Sequence, residues 1–76
     1  MLKTQIRLYL GHANYKVTLD EDVIWKFREN SDMNVDRIQL SRPINSYDEA
    51  VETIEKLEEI YGTMEFGTII AGTIEI

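Results

Sequence analysis

Residues 2–10 alternate with a period of two. Leu2, Thr4, Ile6, Leu8 and Leu10 fall on one side, and Lys3, Gln5, Arg7 and Tyr9 on the other. That period belongs to a strand with one buried face. After Gly11-His12-Ala13-Asn14 the alternation resumes, with Tyr15, Val17 and Leu19 against Lys16, Thr18 and Asp20. A hairpin turning about His12 and Ala13 would set Leu10 opposite Tyr15, Leu8 opposite Val17 and Ile6 opposite Leu19. Tyr9–Lys16, Arg7–Thr18 and Gln5–Asp20 would then share the other face. A slip of one residue would scatter both sets, so this pairing is the strongest constraint on the fold. His12 is expected as an exposed turn residue.

Residues 20–30 admit two readings. Asp20 could cap a helix, with acidic neighbours suited to its dipole and Leu19 and Ile24 as a staple. Alternatively, Asp20-Glu21-Asp22 is a turn, and Val23, Trp25 and Phe27 alternate with Ile24, Lys26 and Arg28 in residue types enriched in strands. The alternation tips the balance to a strand with Trp25 and Phe27 on the core face; their other reading is as interface anchors. Residues 30–34 are a loop by composition. Val35 to Leu40 forms another short strand, with Ile38 and Leu40 on one face, and Pro43 ends it.

Ser46-Tyr47-Asp48-Glu49 has the pattern of a capping box, in which Ser46 accepts from the Glu49 amide and Glu49 reaches back. The helix would run to about Tyr61, with Gly62 as its C-cap. Ala50, Val51, Ile54, Leu57 and Tyr61 make the buried stripe, and Glu52, Glu55, Lys56 and Glu59 face out. Glu65 to Ile76 is expected as a last strand, Gly67 and Gly72 marking bulges or close backbone approach. Its second face, Ile69, Ala71 and Thr73, would be an apolar patch able to form a homodimer or accept a partner strand. The predicted fold class is α+β: residues 1–76 form a single domain. It has a single antiparallel-rich β-sheet of about four to five strands, with one main helix packed on one face.

Composition narrows the function classes. The 76 residues are 43% hydrophobic and 29% charged, an ordinary globular balance. The net charge of −6 argues against a protein held to DNA or an anionic membrane by overall charge. There is no cysteine and one histidine, which removes thiolate chemistry and leaves little for a zinc centre or a Ser-His-Asp relay. The acids at 20–22, 32 and 36 lack the spacing of a calcium loop. No apolar run is long enough to span a membrane and the N-terminus lacks a cleavage signal. A cytoplasmic protein without metal, cofactor or catalytic activity is expected.

Charge is divided along the chain. Residues 1–42 carry seven bases against six acids, and residues 43–76 one base against eight acids. The helix therefore has a strongly acidic outer face, read as a partner-binding surface formed by Asp48, Glu52, Glu55, Glu58 and Glu59. The leading expectation is a small acidic protein-binding module, an inhibitor or modulator of the phage or mobile-element kind. It would dock this face, as a DNA mimic, on a basic and nucleic-acid-binding surface of a target protein. The plain alternative is a solvated helix surface. A second expectation uses the outer sheet face, where Lys3, Arg7, Tyr9 and Lys16, with Lys26 and Arg28, suggest a nucleic-acid-binding module. A third is a structural subunit of a self-assembling complex joined through the terminal strand.

Overall fold

The structure is a computed structural model that describes residues 3–10, 13–28, 35–67 and 72–76. Four strands, β1 (Gln5–Leu10), β2 (Ala13–Thr18), β3 (Val23–Arg28) and β4 (Asp36–Gln39), form one antiparallel sheet in the order β1-β2-β3-β4. One helix, α1 (Tyr47–Tyr61), packs on a single face, so the chain has the α+β architecture its patterning predicts. Among the described residues no helix is long and apolar enough to cross a membrane.

The hairpin forms with both faces as expected, but its register moves by two residues. Leu10 pairs with Ala13, Leu8 with Tyr15 and Ile6 with Val17, which leaves only residues 11 and 12 between the strands. A shift of two preserves every side-chain face, and a two-residue connection is the commonest for a hairpin. His12 lies outside the described residues. Residues 23–28 are a strand, and Leu19 and Asp20 turn the chain into it. Asp20 takes a left-handed conformation (φ 69°), which Asp tolerates better than most residues, and its N–H donates to the Ile44 carbonyl at 2.8 Å. A helix beginning there is excluded.

The strand's faces are the reverse of the expectation. Val17 pairs with Ile24 and Tyr15 with Lys26, so Ile24 and Lys26 face α1 while Trp25 and Phe27 lie on the uncovered side. Four residues, 19–22, separate β2 from β3. With an even-numbered connection, the odd-numbered core positions of β2 must meet even-numbered positions of β3.

The core consists of Ile6, Tyr15, Val17, Ile24, Ile38, Leu40 and Ile44 beneath Ala50, Ile54 and Leu57 of the helix. Val51 is half-buried and Thr53 takes its place inside, its hydroxyl donating to the Glu49 carbonyl at 2.7 Å. At the helix start Ser46 Oγ accepts from the Glu49 N–H at 3.2 Å, but the Glu49 carboxylate turns to Arg42 at 2.6 Å instead of closing the box. Gly62 has right-handed geometry; glycine is needed there for space, since a Cβ would press on the Glu58 carbonyl.

The predicted terminal strand is broken. Phe66 and Gly67 make a turn in which Gly67 has φ 86°, a conformation that interrupts extended chain. Of residues 72–76, only Ile74 bridges in parallel to Leu40. Ile69 and Ala71, on which the dimer through this strand depended, lie outside the described residues, and Thr73 is exposed.

Candidate functional site

The sheet has two unlike faces, because the pairing registers sort its residues by type. On the side away from α1, Arg7 pairs with Lys16, Lys16 with Trp25, and Trp25 with Arg37, making one row across all four strands. Beside it run Tyr9, Asn14 and Phe27, paired in the same order. No Asp or Glu occupies this face within the strands. Directly opposed like charges on neighbouring strands weaken a sheet, so the Arg7–Lys16 pairing costs stability.

The aromatic groups give this face its shape. Trp25 is 38% exposed and Tyr9 64%, while Phe27 lies flat at 8% with the Arg7 guanidinium 5.9 Å above its ring. Arg7, Lys16, Trp25, Phe27 and Val35 line a shallow cleft of about 190 Å³. Arg37 is steadied by a 3.0 Å hydrogen bond from its guanidinium to Gln39 Oε1. Asn14 is buried between Tyr9 and Phe27, and its Oδ1 has no partner among the described residues. Cations and exposed rings, with no carboxylate among the described strand residues of this face, let it hold a negatively charged chain that also carries flat apolar groups.

No protein family, curated protein or solved structure matches the chain.

Of the residues predicted for a basic sheet face, Arg7, Tyr9 and Lys16 come together there. Lys3 pairs with Glu21 at 3.2 Å. Lys26 and Arg28 are on the helix side, flanking the Phe66 ring at 5.4 and 5.3 Å. Trp25, Phe27 and Arg37 join the face in their place. The signal for them was the even-numbered connection between β2 and β3, which reverses the face that hydrophobicity alone selects.

On α1, Asp48, Glu52, Glu55 and Glu59 are exposed and none forms an ion pair among the described residues. Glu58 stands apart from them. Its carboxylate turns to the sheet, accepts from the Tyr15 hydroxyl and lies 3.5 Å from the Lys26 ammonium. Burial, reinforced by the Glu58 hydrogen bond, raises the Tyr15 phenol far above its ordinary value and keeps it protonated. Next to this cluster, the cavity bounded by Tyr15, Lys26, Asp36, Leu57 and Met64 holds about 10 Å³, room for little more than one water. Among the described residues there is no cluster of three metal-ligating side chains.

Proposed function

We propose that this chain is a binding module without catalytic chemistry that takes single-stranded nucleic acid on the uncovered face of its sheet. The observation that carries this reading is the row Arg7–Lys16–Trp25–Arg37, three cations and one exposed tryptophan aligned across four strands. Base stacking on Trp25 and Tyr9 would supply affinity without sequence preference, and the three cations would neutralise phosphates. The helix carboxylates sit one layer behind. Packed layers lie about 10 Å apart, comparable to the Debye length of about 8 Å at physiological salt, so these carboxylates weaken binding without cancelling it.

Fluorescence anisotropy with a labelled single-stranded oligonucleotide tests the reading. Trp25→Ala is expected to weaken binding by about 5- to 150-fold, equivalent to the roughly 1–3 kcal/mol of one stacked base. Replacing Arg7, Lys16 and Arg37 together by Ala should reduce the slope of log affinity against log salt by about 2. Absence of binding at low salt would end this reading. Equal capture of an acidic polypeptide, unaffected by Trp25→Ala, would turn it toward an acidic protein partner.

The outer side of α1 supports a second reading, that of an inhibitor docking on a basic protein surface. Among the described residues Asp48, Glu52, Glu55 and Glu59 have no ion-pair partner, whereas Glu49 and Glu58 are matched by Arg42 and Lys26. Reversing Glu52, Glu55 and Glu59 to Lys should abolish capture of such a target while leaving the fold intact; unchanged capture would dismiss it. This reading ranks second because carboxylates alone also describe a solvated helix, whereas the sheet face joins charge to exposed rings.

A further inference from the structure

The outer edge of β1 is, among the described residues, an unused pairing surface. Among the described residues β1 hydrogen-bonds on one side only, to β2. The Leu19 N–H donates to the Thr4 carbonyl at 2.8 Å, which makes Thr4 and Leu19 a hydrogen-bonded pair. Alternation along an antiparallel ladder then directs the backbone N–H and C=O of Gln5, Arg7 and Tyr9 away from β2 and out of the sheet. Edges of this kind are commonly blunted by proline, a bulge or outward charge. Here the register runs without a bulge, proline is absent, and the strand's single charge, Arg7, leans inward over Phe27.

An apolar groove accompanies the edge. Leu8 and Leu10 are only partly buried, and with Tyr9, Tyr47, Val51, Ile54 and Glu55 they line about 180 Å³ between β1 and α1. Tyr47 is 56% exposed.

The geometry points to a second copy of this chain as the occupant, joined edge to edge through β1 in an antiparallel, two-fold arrangement. Only an odd-numbered residue of one copy can hydrogen-bond an odd-numbered residue of the other, which limits the registers. Centring on Arg7 would oppose two arginines and is disfavoured. Centring on Leu8 pairs Arg7 with the second copy's Tyr9 and Tyr9 with its Arg7, so no like charges meet. On the helix side Leu8 then faces the other Leu8, and Ile6 faces Leu10. Leucines and the Tyr47–Val51 side of α1 from both copies close over the groove, and the contact is self-complementary as a two-fold interface requires. The uncovered faces of the two sheets become one continuous eight-stranded surface. A small domain with no disulfide also gains stability from such an assembly.

Analytical ultracentrifugation of the full chain without nucleic acid, from micromolar to millimolar concentration, tests the inference independently of what the sheet face binds. The expected mass at high concentration is twice the 8.9 kDa of one chain. Tyr9→Pro removes an outward N–H and no bond to β2, so it should leave a folded monomer. If that variant does not fold, amide hydrogen exchange on the unaltered protein decides: the Arg7 and Tyr9 amides should become protected as the dimer forms. A strict monomer at millimolar concentration would overturn the inference. So would a dimer that Tyr9→Pro leaves intact, or one whose Arg7 and Tyr9 amides exchange freely.

Discussion

Lys26 is the residue on which the two faces of the sheet turn. It is 4% exposed, lies between Tyr15 and Asp36 in the cross-strand row under α1, and meets Glu58 from the helix. A buried ammonium costs free energy unless its partners are close, and here the Glu58 carboxylate at 3.5 Å and the Tyr15 ring at 5.7 Å lie against it. Asp36 is held in turn by the Gly67 N–H at 2.6 Å, so one polar cluster ties β2, β3, β4, the helix and the turn after it. Lys26→Met should destabilise the fold by about 3–5 kcal/mol, because it leaves Glu58 beneath the helix without its cation. Adding Glu58→Leu should recover part of that loss, and chemical denaturation of the two single variants and the double variant would measure the coupling. Additive losses would show that Lys26 and Glu58 act separately. None of this cluster was legible as a cluster in the sequence. Lys26 reads there as a surface cation and Glu58 as one more helix carboxylate, since only the packing of α1 on β3 brings them together.

The elements themselves were more legible than their orientations. Alternation in β1 and β2 identified both strands and their faces, and Ser46 marked the start of α1. The hairpin pairing missed by two residues because alternation repeats every two and cannot separate registers that keep the same face. Strand β3 was harder: Val23, Trp25 and Phe27 form the more apolar set, yet the connection of residues 19–22 places Ile24 and Lys26 inward. At the start of α1, the guanidinium of Arg42 holds the Glu49 carboxyl below its ordinary value through their hydrogen bond. A carboxyl depressed in the folded state stabilises above its unfolded pKa of about 4.3, and that contribution fades as pH falls through the folded value. Thermal unfolding of Glu49→Gln and the unaltered chain should therefore differ at neutral pH and converge in acid. A constant gap down to the most acidic folded conditions would assign the difference to helix packing instead.

At the scale of the whole molecule, the division of charge along the chain becomes a division across the sheet. The carboxylates of residues 48–59 lie on the helix side, while Arg7, Lys16 and Arg37 line the other face with Trp25 among them. The net charge of −6 conceals this arrangement, and so sequence composition favoured a role for the acidic face. Placing Trp25 and Arg37 beside Arg7 and Lys16 required the tertiary register, and with it the sheet face became the stronger candidate. Trp25 is the chain's only tryptophan, so its emission reports on this face without a label. The most direct measurement is a titration of that emission with an unlabelled single-stranded oligonucleotide at low salt, repeated as salt is raised. Stacking on Trp25 should quench the emission in a saturable way, and rising salt should reverse it. Emission that stays constant while the oligonucleotide binds, or the absence of any binding, would contradict the central claim that this face holds single-stranded nucleic acid.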